Sequence, residues 1–249
     1  MTDLLRAELL KIRTTRGWYG YLAAIVLLAG IATAGDTGSS DAARRGGLSF
    51  QVGLVEAAAV AALLAIVLGI TIVTTEFRHG TVTPTFLAAP ARERVLAAKA
   101  LAATIAAAAF DVLALAVIAA VALTWLTAVD AEIHLLDGEV ATRAAQTVLA
   151  AVLWALLGVA IGSIVQSQVA ALVGTLIWIF LGEALVSALL GLIDLDGVRA
   201  YLPFAALDSA DGTGGGDRLA YWPGVAVSLG WIAAVGAAGT LRTRRRDVT

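Results

Sequence analysis

Three carboxylic acids interrupt the apolar stretches of this 249-residue sequence: Glu56, Asp111 and Glu183. A charged side chain at the centre of a bilayer costs about 2.5–3.5 kcal/mol on insertion scales, so such residues usually face the interior of a helix bundle. No Lys or Arg lies at a matching depth. The acids are therefore predicted to be protonated, to be hydrogen-bonded, or to line a path for cationic or amphipathic substrates. Candidate hydrogen-bond partners are hydroxyl groups of neighbouring apolar stretches: Thr104, Thr175 and Ser187.

The side chains that intramembrane enzymes use are missing from the apolar stretches. His79 and His134 lie in polar connections, which leaves a serine hydrolase without a base and a zinc protease without ligands at membrane depth. A two-aspartate type of protease would have to pair Asp111 with Glu183, in no recognisable motif. There is no cysteine, so disulfides and thiolate metal sites are excluded. We therefore expect no catalytic residue, no metal and no cofactor on this chain.

The apolar stretches themselves predict membrane-spanning helices. Hydrophobic residues make up 60% of the sequence and charged residues 14%, and a helix needs roughly 20 apolar residues to cross the hydrocarbon core. The stretches are too long and too uniformly apolar for barrel strands. We expect an all-α, polytopic membrane domain over residues 1–249, with no Gly/Pro-interrupted helix evident. Six spans are predicted, at about 18–34, 51–75, 97–126, 144–165, 169–193 and 223–241. Four glycines suit close helix packing: Gly158, Gly162, Gly174 and Gly182.

Basic and acidic residues are sorted into different connections. Twelve of the 17 Lys and Arg lie in the N-terminal segment, at 76–99 and in the tail, whereas eleven of the 19 Asp and Glu lie in the other three connections. The positive-inside rule then places both termini and the 76–96 segment in the cytoplasm. The arginine-rich tail at 242–246 is predicted to anchor on anionic lipid.

Residues 1–17 are predicted to form an amphipathic helix on the membrane surface. Its apolar face spans an arc of about 140° when the chain advances 100° per residue. Glu8 and Arg16 intrude on that arc, so the amphipathic pattern is imperfect. The apolar residues on the arc are Leu4, Leu5, Leu9 and Ile12.

A compact polar segment at 76–96 separates the second and third predicted spans. Gly80 should end the preceding helix, and Thr83–Pro84 predicts an N-cap followed by proline at the first helical position. A short helix would then present Phe86 and Leu87. Exposed apolar residues on a short helix usually mark a protein contact, although the arginines of the segment could equally face lipid headgroups.

The long connection at 194–222 combines an apolar patch at 201–207 with a glycine run at 212–216. The patch is predicted to bury itself, as short helices or over the mouth of a cavity, and the glycine run is predicted to be a loop. The chain contains no Gly-Lys dipeptide, and therefore no phosphate-binding loop of the G-x-x-x-x-G-K-[ST] type. If ATP drives this protein, a partner must bind it.

Residues 76–82, Glu-Phe-Arg-His-Gly-Thr-Val, followed by Pro90, Arg92 and Lys99, resemble the signature of ABC-2 type permease subunits. The resemblance is to the small six-span permeases of bacitracin-export and sodium-extrusion systems. In that family the first cytoplasmic loop holds a coupling helix that docks on a separate ATPase subunit. The resemblance implies that seven residues transmit nucleotide-driven movement: Glu76, Arg78, Gly80, Thr81, Phe86, Leu87 and Arg92.

The same resemblance implies a complex in a bacterial cytoplasmic membrane. Two permease chains, identical or paralogous, would enclose the path above two copies of an ATP-binding subunit, which would hold ATP and Mg²⁺. Membrane lipids would be further partners, and nucleic acid would not be one. The expected function is export of an amphipathic drug, antibiotic peptide or lipid-like metabolite. The alternatives are an ion-coupled secondary transporter that uses Asp111 and Glu183, and a membrane anchor or sensor without transport.

Overall fold

A computed structural model of the chain describes residues 1–89, 91–212 and 218–244. Within these ranges every regular element is a helix and there is no strand. Six helices in the described part of the chain are long and apolar enough to cross a membrane. The all-α class and the number of predicted spans are therefore confirmed.

The first half of the chain forms the N-terminal helix and the first two spans. The N-terminal helix is α1 (Thr2–Thr14), and span 1 is α2 (Gly17–Ser39). After α3 (Ala42–Arg45), span 2 consists of α4 (Leu48–Leu54), a 3-10 turn (Val55–Ala58) and α5 (Ala59–Arg78). The short helix α6 (Val82–Ala88) then leads to span 3.

The second half contains the remaining spans and one further short helix. Span 3 is α7 (Arg92–Ala128) and span 4 is α8 (Gly138–Val165). Span 5 consists of α9 (Gln168–Ile177), a π-helical turn (Trp178–Gly182) and α10 (Glu183–Leu192). A 3-10 turn (Asp196–Tyr201) and α11 (Pro203–Ser209) precede span 6, which is α12 (Tyr221–Arg244).

Every span extends past its predicted apolar stretch at one or both ends. Span 4 begins at Gly138 rather than near residue 144, because helix-compatible polar residues continue the backbone hydrogen bonds beyond the apolar stretch. Span 3 has 37 residues, which is about 56 Å at 1.5 Å per residue against a hydrocarbon core of about 30 Å. It must tilt or project from the membrane, as its long apolar stretch predicted.

Spans 2 and 4 pack with their backbones in direct contact. A side-chain carbon on Gly69 would overlap the carbonyl oxygen of Ala155, and one on Gly158 would overlap that of Ile66. One on Gly162 would lie 3.1 Å from another carbonyl oxygen of span 2. The predicted close approach at Gly158 and Gly162 is confirmed, because only residues without a side chain permit this spacing.

Span 5 lies at the periphery of the bundle. No atom outside the helix backbone comes within 4 Å of a side-chain carbon placed on Gly174, and one on Gly182 would meet the Trp178 ring of its own helix. The prediction of close helix packing at these two glycines is therefore wrong. Large apolar side chains are exposed along this span, as contact with lipid requires: Val169, Val173, Ile177, Phe180, Leu181, Leu185, Leu189 and Leu192.

Two spans depart from α-helical geometry, which the sequence did not predict. The 3-10 turn of span 2 contains Glu56, and the π-helical turn of span 5 ends directly before Glu183. Such turns are frequent at functional hinges and functional sites. Two of the three acids in the apolar stretches therefore lie beside breaks in regular geometry.

The polar segment between spans 2 and 3 folds nearly as predicted. Gly80 adopts a positive φ of 66°, which favours glycine, and ends α5. The predicted N-cap at Thr83 is wrong, because α6 begins at Val82 with Thr81 as its N-cap. Pro84 is then the third helical residue, where its missing N–H costs nothing because the first four N–H groups have no helical partner.

The connection between spans 5 and 6 folds back onto the bundle. Phe204 and Leu207 of α11 are buried, and the Phe204 ring lies 5.3 Å from that of Trp154. The prediction that the apolar patch buries itself is confirmed. Most of the predicted glycine loop, from residue 213 onward, lies outside the described residues.

Candidate functional site

One end of the bundle holds α1, α6 and the last turn of α12, and we call it the basic end. Four charged side chains meet there, and we call them the ion cluster: Glu8, Lys11, Glu76 and Lys99. The Nζ atom of Lys99 lies 3.0 Å from Glu8 Oε2 and 2.8 Å from Glu76 Oε1. The Nζ atom of Lys11 lies 2.7 Å from Glu8 Oε1 and 2.6 Å from Glu76 Oε1. Each lysine therefore bridges both glutamates.

Three of the four residues of the ion cluster are shielded from solvent. Glu8, Glu76 and Lys99 are 5%, 6% and 4% exposed, whereas the Lys11 side chain is 47% exposed. The third donor of Lys99 lies 3.3 Å from the carbonyl oxygen of Ile72. Buried charges are tolerated when they are paired and hydrogen-bonded, and here two positive and two negative charges cancel.

Lys11 remains charged within this arrangement. Burial alone would lower the pKa of its ammonium group, but hydrogen bonds and charge attraction from Glu76 and Glu8 outweigh burial and raise the pKa above its ordinary value. Paired charges therefore hold together α1, the last turn of span 2 and the first part of span 3.

The sequence did not identify two members of the ion cluster as site residues, Lys11 and Glu8. Glu8 appeared only as a polar interruption of the apolar face of α1, yet it is the most buried residue of that helix. The predicted apolar residues Leu4, Leu5, Leu9 and Ile12 are partly buried around it. The sequence did contain an indication of this pairing. An acid on an apolar helix face needs a buried cation, and Lys99 lies next to an apolar stretch.

Two of the predicted coupling residues bind other elements of the bundle. Glu76 faces the ion cluster, so a partner protein could act on its carboxylate only indirectly. Arg78 is exposed, and its Nη1 atom donates to Oε1 of Gln168, 3.2 Å away at the start of α9. The backbone N–H of Thr81 donates to the carbonyl of Glu76 at 2.9 Å, which holds the turn at Gly80 closed.

The far side of the segment is fixed to the end of span 6. The Nη1 atom of Arg92 donates to the carbonyl oxygen of Thr243 at 2.6 Å. Between the two anchors, the side chain of Leu87 is 71% exposed. The predicted contact residue Phe86 lies on α6, but its side chain is outside what the structure describes.

Asp111 is fully buried between spans 3 and 4. Its Oδ2 atom accepts a hydrogen bond from Thr147 Oγ1 at 3.1 Å, rather than from any of the three hydroxyl groups that the sequence offered. Its Oδ1 atom has no hydrogen-bond partner among the described residues. Asp111 is therefore an incompletely satisfied carboxyl group within a span.

The other two predicted path residues have different surroundings. Both oxygens of Glu183 accept backbone N–H bonds from the first turn of α11, from Phe204 at 2.6 Å and from Ala205 at 3.0 Å. Glu56 is exposed and lines a small cavity together with Arg143 and Thr147. The expectation that no Lys or Arg lies at the depth of these acids is therefore wrong for Glu56. Thr147 thus connects the surroundings of Glu56 to Asp111, whereas Glu183 fastens α11 to span 5.

At the opposite end of the bundle, which we call the acidic end, Gln51 joins three segments by neutral hydrogen bonds. The buried side chain of Gln51 donates to the carbonyls of Arg45 at 3.1 Å and Glu132 at 2.8 Å, and accepts from the His134 N–H at 2.7 Å.

In α11, burial raises the pKa of Asp208 to about 6, against the attraction of Arg218.

No protein-family model matches the sequence, and no curated protein matches it. The ion cluster, α6 with its two anchors, and Asp111 are therefore the features from which a function has to be inferred.

Proposed function

We propose that this chain is the permease subunit of an ATP-driven exporter of the ABC-2 type, with a separate ATPase docked on α6. The anchoring of α6 is the observation that carries the proposal. Glu76 and Lys99 hold the chain before and after it within one ion cluster, and Arg92 holds it to the end of span 6. An exposed leucine on a helix that is anchored at both ends suits a contact through which a partner protein moves α6.

The ion cluster would transmit such a movement. A displacement of α6 would pass through Glu76 to spans 2 and 3 and, through Glu8, to α1. Because each lysine contacts both glutamates, these elements would move as one unit. The basic end would face the cytoplasm, where ATP is available and where the positive-inside rule places it.

The substrate would be an amphipathic compound. An apolar cavity of about 260 Å³ lies between spans 4, 5 and 6 and α11, with Trp178, Phe204 and Trp231 in its walls. Exposed apolar residues on span 5 would face either lipid or a second permease chain, identical or paralogous. Two such chains would enclose the path, and the two ATPase subunits would bring ATP and Mg²⁺.

The test compares two exposed leucines at opposite ends of the bundle. Leu87→Asp alters α6, and Leu136→Asp alters a side chain that is 97% exposed at the acidic end. When the tagged chains are purified from their native membrane, the Leu87→Asp chain should retain about tenfold less ATPase than the unaltered chain, or even less. The reason is that a leucine buried in an interface contributes about 1.5–3 kcal/mol. The Leu136→Asp chain should retain as much ATPase as the unaltered protein. ATP-dependent export from membrane vesicles should fall in parallel.

An ion-coupled secondary transporter is the second candidate, favoured by the buried carboxyl group of Asp111 with its unpaired oxygen. In that case no ATPase would be retained by either chain, transport would persist in vesicles without ATP, and Asp111→Asn would abolish it. Glu183 suits this role less well, because both of its oxygens are already engaged by α11.

A further inference from the structure

A cleft of about 520 Å³ opens beside the ion cluster at the basic end. It lies between α1, the start of span 1, the last turns of span 2 and the start of span 5. Its size is that of a site for a small molecule. Neither the proposed ATPase docking nor the apolar cavity beside α11 makes use of it.

The cleft is amphipathic along its length. Its lining follows one face of α5 from Arg78 and His79 at the surface to Leu68 within the span, a distance of about 15 Å at 1.5 Å per residue. The mouth is charged and polar, and Leu68 and Ile72 make the inner part apolar. A ligand that fills the cleft must therefore carry a polar head and an apolar body.

The charges that a ligand could reach in the cleft are positive. Glu8 and Glu76 also line it, but their carboxylates are buried and paired with lysines. Lys11, Arg78 and His79 are exposed at the mouth. Lys11 is already paired with both glutamates, whereas Arg78 is hydrogen-bonded to a neutral amide, that of Gln168. One nitrogen of the Arg78 guanidinium group donates to Gln168. The group has further N–H donors, which suit a phosphate group.

Trp18 adds an unused donor to the cleft. Its ring lines the wall, and its indole Nε1 is shielded from solvent with no hydrogen-bond partner among the described residues. Tryptophan commonly occupies the interface between lipid headgroups and hydrocarbon. A buried N–H without an acceptor is costly, and a turn of the Trp18 ring toward the cleft would let a ligand oxygen accept from it.

We propose that the cleft binds a phosphate-bearing amphiphile, namely a glycerophospholipid of the surrounding leaflet. Its phosphate lies at Lys11, Arg78 and His79, and its glycerol ester and upper acyl chain lie against Trp18, Ile72 and Leu68. A free phosphate ion would leave the apolar part of the cleft unfilled, and a purely apolar molecule would leave Arg78 without an anionic partner. This inference does not depend on an ATPase partner.

The test measures lipid binding to the delipidated full-length chain in detergent by native mass spectrometry. The probes are a phosphatidylglycerol, a diacylglycerol with the same acyl chains, and inorganic phosphate. Arg78→Gln removes a cation from the mouth, and Arg13→Gln removes another exposed cation, on α1, that does not line the cleft. Thr75→Trp fills the cleft without changing its charge.

We expect phosphatidylglycerol to bind the unaltered chain at one preferred site. Arg78→Gln should weaken this binding about tenfold, the effect of losing one hydrogen bond to a charged group, and Thr75→Trp should abolish it. Arg13→Gln should leave it unchanged. The proposal is wrong if both arginine variants lose lipid equally, if diacylglycerol binds as tightly as phosphatidylglycerol, or if inorganic phosphate alone binds as tightly as the lipid.

Discussion

Replacing Lys99 by methionine is the most direct probe of the ion cluster. The Nζ atom of Lys99 lies 3.0 and 2.8 Å from two carboxylates, and each charge-assisted hydrogen bond is worth about 1.5–3 kcal/mol. Removing one partner from a buried ion pair typically costs 3–5 kcal/mol, because the remaining charge stays buried and uncompensated. In Lys99→Met, Glu8 and Glu76 would share Lys11 alone. We expect the midpoint of thermal unfolding in detergent to fall by on the order of 10 °C.

Charge balance, rather than the loss of lysine packing, should cause this effect. The double variant Lys99→Met with Glu8→Gln leaves one positive and one negative charge, Lys11 and Glu76, and should recover a large part of the loss. A coupling energy of about 2 kcal/mol between the two changes is expected for residues in contact. Arg94→Met, at an exposed position of the same helix, serves as the control. If Lys99→Met lowers the midpoint no more than Arg94→Met, or if the double variant is no more stable than the single one, the cluster does not hold α1 to spans 2 and 3.

Two further predictions concern packing and pH. Gly158→Leu should prevent folding, because its side chain would enter the backbone of span 2, whereas Gly174→Leu should be tolerated because that position faces open space; the recovery of monodisperse protein in detergent compares them, and equal recovery would contradict the packing. The pKa of Asp208 in the folded protein is raised to about 6 from an ordinary 3.8, so the folded state holds the proton more tightly and stability falls as pH rises from about 4 to about 6. Asp208→Asn should therefore stabilise the protein at pH 7.5, by at most about 3 kcal/mol, and should have little effect at pH 4; thermal midpoints at the two pH values test this, and an equal shift at both would contradict it.

The number and order of the spans could be predicted because hydrophobicity reports which residues belong in hydrocarbon. It does not report where a helix begins or ends. Span 4, for example, begins at Gly138, six residues before the predicted boundary. It also does not report geometry within a span. The 3-10 turn at 55–58 and the π-helical turn at 178–182 carry no distinctive composition.

The location of the candidate site could be predicted, but not its internal pairing. The segment at 76–99 was identified by its charge and its glycine and proline residues. The contact between Glu8 and Lys99 joins residues 91 positions apart, and it depends on the rotation of α1 and α7 about their axes. A single sequence carries no direct measure of that rotation. The polar interruption of the apolar face of α1 was the one local sign of it.

The three acids of the apolar stretches looked equivalent in the sequence, and their partners separate them. Both carboxylate oxygens of Glu183 accept hydrogen bonds from N–H groups about twenty residues further along the chain, in the connection that folds back onto the bundle. Hydropathy does not predict that the connection folds back. Glu56 is exposed on its 3-10 turn and shares a small cavity with the cation Arg143. Asp111 alone combines complete burial with an unpaired oxygen. If any of the three binds a proton or a cation during transport, it is Asp111, and Asp111→Asn, which keeps the hydrogen bond from Thr147 but cannot ionise, is the variant that separates an ionic role from a structural one.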